Sequence, residues 1–264
     1  VARVGRDDIV RLHVDMQEIP QRANRTVKTV RTILNFAIDL GLRPPASNPA
    51  RRIKMYREQL HERFLTEEEI GKAAEAIEQV EQIGKIGPHG AAGLRLALFT
   101  GARSGEITAI EWKHIDWDRR IIRLPDSKLN EPRTIHLSDA AIEVLKTVPR
   151  IGRYVIAGAR PDQPYKNLSR AWIVARAHGG LGDVRLHDLR HSYASLAAGR
   201  GVSLQMIGKL LGHKVAATTQ RYAHLARDAV AAINDELGMA MQTAIAAKKP
   251  TPGATVVKLR RPRR

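Results

Sequence analysis

The chain contains no cysteine, so neither a disulfide nor a thiolate metal site can hold it together, and packing has to do so. No apolar run approaches the roughly 20 residues needed to cross a bilayer, and no charged-then-apolar leader opens the chain. A cytoplasmic protein with no membrane partner is expected. Also missing are a glycine-rich phosphate loop followed by Lys-Ser or Lys-Thr and a carboxylate cluster suited to magnesium, so no cofactor and no metal are expected. The chain begins at Val1 rather than at Met, which suggests a fragment.

What the sequence has in excess is positive charge. Lys and Arg outnumber Asp and Glu by 44 to 27, for a formal charge of +17. Residues 1 to 60 carry 12 basic and 6 acidic side chains, residues 248 to 264 carry 7 basic and none acidic, and the stretch between holds 25 against 21. Two basic ends around a nearly balanced body suit a polyanion, and a phosphate backbone before an anionic membrane. At 264 residues and 43% hydrophobic content, the chain can bury one sizeable core and a second, smaller one.

The first 42 residues read as helical. Val27, Val30, Leu34, Ala37 and Ile38 fall at helical spacing and Gly41 supplies a stop, while Arg25, Lys28, Arg31 and Asn35 form an opposite stripe suited to phosphate contacts. The proline-rich run from Arg43 to Pro49 cannot continue a helix, and basic residues follow at Arg51, Arg52, Lys54 and Arg57. A linker is expected over 43–62. Thr66 with Glu69 predicts a capping box, and a buried helix is expected from Ala91 to Phe99. Three short strands follow, at Ile115 to Trp117, at Ile121, Ile122 and Leu124, and at Thr134, Ile135 and Leu137, with Lys128 in a polar turn. Ser138 caps a return to helix, and everything beyond Tyr165 reads as helical up to a basic, disordered tail at 248–264. The fold class is mainly α with a small antiparallel sheet.

The densest chemistry lies in Leu186-His187-Asp188-Leu189-Arg190-His191-Ser192-Tyr193-Ala194, then Leu210-Leu211-Gly212-His213-Lys214, then Thr218-Thr219-Gln220-Arg221-Tyr222-Ala223. With Thr100-Gly101-Ala102-Arg103-Ser104-Gly105-Glu106 upstream, this resembles the tyrosine recombinase, or phage integrase, family. That family orders an Arg in T-G-x-R-x-x-E, a hairpin Lys, H-x-x-R, a G-H pair and a Tyr. Arg103, Lys128, His187, Arg190, His213 and Tyr222 stand in that order here. The resemblance covers roughly 62 to 230, with a weaker match before it to a core-binding domain. It implies a partial helical DNA-clamping domain over 1–42 and a catalytic domain over 63–247. A full clamping domain has about four helices, and these 42 residues have room for roughly two.

The chemistry explains the residue types. Two guanidiniums, Arg103 and Arg190, can fork onto a phosphodiester and offset charge building in the transition state. Glu106 would orient Arg103, and Gly101 with Ala102 would leave room for DNA against the backbone. A phenol of pKa about 10 needs a base or nearby cations to attack, and His187 is the candidate base for Tyr222. The resemblance makes Lys128 the acid for the leaving 5′ hydroxyl and has His213 hydrogen-bond the phosphate. Bond energy kept in a 3′-phosphotyrosine permits religation without ATP. The implied partner is double-stranded DNA at specific sites, bound by a homotetramer spanning two duplexes, with monomers or dimers off DNA. Val230, Ile233, Leu237, Met241 and Ile245 make an apolar stripe that would dock on a neighbouring subunit.

Three other readings compete. His187 and His191 share the i, i+4 spacing of zinc protease helices, without the Glu or an obvious third ligand. Residues 187–198 and 204–211, joined at Gly199-Arg200-Gly201 and capped at Ser203, resemble a helix-turn-helix regulator. A type IB topoisomerase would share the chemistry without needing a specific site.

Overall fold

The computed structural model describes residues 3–58, 62–127, 131–160, 162–213 and 215–247. The chain divides into two compact units, Val1–Glu62 and Arg63–Arg264.

In the first unit, α1 (Arg6–Asp15) packs on α2 (Pro20–Asp39). Pro20 starts α2 at a position where the absent N–H costs no helix bond. Ile9, Val27 and Leu34 form a small core that Ala50 and Ile53 close from beyond the helices. Those last two residues correct the linker expected over 43–62: the stretch belongs to the first unit and is anchored to it through Asn48, Ala50 and Ile53. Asn48 donates to the Arg31 carbonyl at 2.9 Å, and Arg43 donates to the Val4 carbonyl at 3.2 Å. The Asn24 amide clamps Tyr56, donating to its carbonyl and accepting from its N–H, both at 2.9 Å. Gly41, at φ +70, ends α2 as expected, and side-chain bonds over a long sequence separation then hold the proline-rich chain down.

The second unit opens as its local signals predict. Thr66 Oγ1 accepts from Glu69 N at 3.2 Å and Glu69 Oε2 accepts from Thr66 N at 2.9 Å, starting α3 (Glu67–Gln82). Next, α4 (Pro88–Thr100) is the central helix, packed by α3, α6 (Asp139–Thr147), α7 (Leu168–His178) and α8 (Leu186–Gly199). Neighbours on several sides explain its lack of a polar face. They also explain Gly93, where an added Cβ would stand 2.8 Å from Leu168 Cδ1.

After α5 (Ser104–Thr108), β1 (Ile115–Asp116), β2 (Ile121–Ser127) and β3 (Glu131–His136) form an antiparallel sheet in sequence order. Ile122 sits opposite Ile115 on one side and Ile135 on the other, and all three are buried. Each contributes about 1.5–3 kcal/mol by leaving water. The first strand stops short of expectation, since Trp117 lies beyond it and is exposed. Ser138 caps α6 and Ser203 caps α9 (Leu204–Leu211). Then come α10 (Ala216–Thr219), a 3-10 turn at Gln220–Tyr222, and α11 (Ala226–Ala247). The mainly helical fold with a small antiparallel sheet is as read from the sequence. The tail at 248–264 lies outside the described residues. Among those described, no helix is long and apolar enough to cross a membrane.

Candidate catalytic site

The site is assembled at the ends of helices. Gly101 terminates α4 at φ +60, a left-handed turn that brings Arg103 to the N-cap of α5. Glu106 fixes that turn, its carboxylate accepting from Arg103 N at 2.9 Å and from Arg103 Nη1 at 2.7 Å. Burial pushes the Glu106 pKa up, but the bonds from Arg103 and the charges of Arg133 and Arg103 outweigh it, leaving the group below its ordinary value. The sequence reading gave Gly101 and Ala102 to a close approach by DNA. The structure corrects this: a Cβ on Gly101 would meet Tyr193 Cδ1 at 2.7 Å, and Ala102 is buried.

Arg190 is only 3% exposed. Its Nη1 donates to the Gly101 carbonyl and its Nη2 to the Leu211 carbonyl, each at 2.8 Å. It therefore ties the end of α4 to the end of α9. Burial, then the neighbouring Arg103, lowers its pKa to about 10, which leaves it charged at neutral pH. Two of the five guanidinium N–H groups are spent on these carbonyls.

Gly212 ends α9 in the left-handed region at φ +65, and His213 follows. Its Nδ1 pairs with Thr219 Oγ1 at 2.8 Å. Burial, reinforced by Arg190, Arg103 and Arg133, lowers the His213 pKa to about 4. His187 stands exposed on α8 with its pKa also lowered, by partial desolvation first and then by Arg190.

Tyr222 is 1% exposed, packed with Ala194, Ala198, Ile207 and Leu211. Burial raises its pKa against the opposing pull of Arg221 and Arg190. Its hydroxyl shares a 2.6 Å hydrogen bond with His191 Nδ1. The expected base was His187; the imidazole in reach of the phenol is the next one along the same helix. His187 itself meets His191 edge-on, ring centroids 4.7 Å apart.

Arg103, His187, Arg190, His213 and Tyr222 thus come together: the charge of Arg103 acts on His187, Arg190 and His213, and that of Arg190 on His187, His213 and Tyr222. Lys128 lies outside the described residues; the strands on either side still pair at Ser127 and Glu131 after a register shift.

Sequence reasoning missed three members. His191 had a signal, its i+4 spacing from His187, which was weighed only as a metal motif. Among the described residues no group of three or more His, Cys, Asp or Glu could hold a metal. Thr219 and Arg133 had none, because their partners are distant or lie across a turn. Arg133 donates to the Lys209 and Leu210 carbonyls at 3.2 and 2.8 Å and pairs with Glu106 at 3.6 Å.

In the first unit, Arg25, Lys28, Arg51, Arg52 and Lys54 are exposed. Arg31 is half-buried and its Nε donates to the Ala50 carbonyl at 3.0 Å, so it is only partly available to phosphate. Lys28 pairs with Glu58 at 3.5 Å.

The profile of the phage integrase family matches residues 63–228. The integrase of Salmonella phage P22 is 33% identical over 150 residues, covering 50% of this chain and 38% of that protein. The tyrosine recombinase XerA of Saccharolobus solfataricus is 33% identical over 139 residues, covering 51% of this chain and 45% of that one. The chain thus spans less than half the length of these relatives. A lambda integrase dimer bound to a COC′ core site superimposes with a TM-score of 0.65 at 22% identity, over 84% of this chain and 65% of that one. A lambda integrase tetramer bound to a Holliday junction gives 0.64 at 23%, over 81% and 66%.

Proposed function

The chain belongs to the phage integrase family of tyrosine recombinases, and from that we propose that it is a site-specific DNA recombinase working through a 3′-phosphotyrosine at Tyr222. The observation that carries the reading is the gathering of two guanidiniums and two imidazoles from α8 and the ends of α4 and α9 with one phenol from the turn at Gln220–Tyr222. A phosphodiester entering this cluster meets Arg103 and Arg190, whose charges favour the dianionic transition state over the monoanionic ground state. Tyr222 attacks phosphorus, and the 5′ oxygen leaves with a proton from Lys128. His213, its Nδ1 already committed to Thr219, turns its other nitrogen to a phosphate oxygen. The 5′ hydroxyl of a second strand then reverses the reaction, without ATP, metal or cofactor.

The proposed partner is double-stranded DNA bearing a defined site, met in the cytoplasm on behalf of a mobile element. Arg25 and Lys28, with Arg31 in a lesser part, supply backbone contacts from a partial clamping domain over 1–42, Arg51, Arg52 and Lys54 add to them from the stretch packed beside it, and residues 63–247 form the catalytic domain. Two duplexes are held by a homotetramer. The exposed stripe Val230, Ile233, Leu237, Met241 and Ile245 on α11 suits a neighbouring subunit.

The test is a nicked duplex carrying the native attachment site, from which the short 5′ fragment diffuses away after cleavage. The wild type is expected to form a protease-sensitive covalent adduct and Tyr222→Phe none. Site binding with no adduct from either protein would point to a regulator, and relaxation of plasmids lacking the site would point to a topoisomerase.

A further inference from the structure

We propose that His191, not His187, receives the Tyr222 proton as the phenol attacks phosphorus. The inference rests on the recombinase reading above and deepens it by naming a catalytic residue that the family's H-x-x-R pattern does not include.

The geometry singles His191 out. Its Nδ1 lies 2.6 Å from the Tyr222 oxygen, within the range needed for direct proton transfer. Both side chains are buried, at 9% and 1% exposure, so bulk water does not compete for the proton. The tyrosine ring is held by Ala194, Ala198, Ile207 and Leu211, and α8 holds the imidazole, so the pair is aligned by packing on both sides.

The charged surroundings keep the imidazole able to accept. Burial first, then His187 and Arg221, with Arg190 adding and Asp188 opposing, lowers the His191 pKa to about 4. At neutral pH the ring is unprotonated, and the tautomer with Nδ1 bare accepts from the phenol. Such an imidazole is too weak a base to ionise a resting phenol. It need not do so, because the phenolic proton becomes strongly acidic as the oxygen bonds to phosphorus, and transfer late in that motion is downhill. His187, exposed at the edge of the same pair, is left free to face the phosphate.

The step balances. The Tyr222 oxygen–phosphorus bond forms, the bond from phosphorus to the 5′ oxygen breaks, the phenolic proton moves to His191 Nδ1, and the 5′ oxygen takes a separate proton from Lys128. In religation each transfer runs backwards, and His191 returns its proton to the departing phenolate.

The experiment is single-turnover cleavage of the nicked attachment-site duplex across about pH 6 to 8.5, for the wild type, His191→Gln and His187→Gln, with site binding and thermal melts measured alongside. Glutamine keeps a hydrogen-bond acceptor but cannot take a proton. The expected result is that His191→Gln binds the site normally and cleaves about 10²- to 10⁴-fold more slowly. Its rate should climb with hydroxide concentration, where the wild type and His187→Gln stay flat. Imidazole in the buffer should restore part of the rate to His191→Ala by filling the vacated space. The proposal is overturned if His191→Gln cleaves at the wild-type rate, if it slows equally at every pH, or if the hydroxide dependence appears in His187→Gln instead. An adduct absent from the wild type, or retained by Tyr222→Phe, would remove the recombinase reading itself, an outcome distinct from normal cleavage by His191→Gln.

Discussion

The Arg133 guanidinium occupies the space a side chain on Gly212 would need: a Cβ there would come within 2.6 Å of Arg133 Nε, at a residue with φ +65. Through this contact β3 holds the end of α9 and the turn that carries His213. Gly212→Ala is therefore expected to lose about 1–3 kcal/mol of stability, from left-handed strain and displacement of Arg133. DNA cleavage should fall further than site binding. In a double-mutant cycle with Arg133→Met the two costs should not add, and strict additivity in urea melts would show that the contact carries no energy.

The two site arginines should separate by stability. Arg190→Ala leaves two buried carbonyls without their donor and should cost about 3 kcal/mol. Arg103 is half-exposed, and without its side chain the mostly buried Glu106 still accepts from the residue 103 amide and pairs with Arg133, so Arg103→Ala should cost clearly less stability than Arg190→Ala. Both should abolish the covalent adduct. Urea midpoints would distinguish them, and equal midpoints would contradict the burial argument.

The catalytic unit should weaken in mild acid. The His191 and His213 pKa values are lowered to about 4 in the folded protein, whereas an unfolded histidine titrates near about 6.5. Between those values the unfolded chain binds more protons, so stability is full above the upper value and falls as pH drops toward the lower one. Melting temperatures recorded across this window should decline, and more shallowly for His213→Asn. An unchanged slope in that variant would remove His213 as a contributor.

Packing of residues 43–57 against the first unit can be read by hydrogen exchange. The Tyr56 amide donates to Asn24 Oδ1 and should be protected, and Asn24→Leu should release it. Rapid exchange at Tyr56 in the wild type would restore the linker reading.

Removing α11 from residue 227 onward tests its proposed docking role. Recombination between two sites is expected to fall far more than binding to one. Equal activity without the helix would sink the assembly model.

The signals that could be read directly were local ones. Thr66, Ser138 and Ser203 each bond an amide three residues on, so the sequence window that suggests the cap contains both partners. Alternation did the same for Ile122 and Ile135. The reading failed where the partner was remote. Arg43 to Pro49 looks like a linker because its prolines forbid helix, yet Asn48 pins it to Arg31, and Asn24 pins the chain beyond it at Tyr56, through contacts no window spans. At the site, the order of Arg103, His187, Arg190, His213 and Tyr222 predicted which residues meet. It could not predict which imidazole touches the phenol, since His187 and His191 share a helix face and only the packing of Tyr222 chooses between them.

The arrangement of Arg190 also bears on how such proteins decay. On the proposed function, a copy that loses Arg103 keeps its shape while losing its chemistry. A copy that loses Arg190 loses the tie between the ends of two helices and is exposed to proteolysis. Folded but inactive descendants of this protein should therefore retain Arg190 well after the other cation has gone.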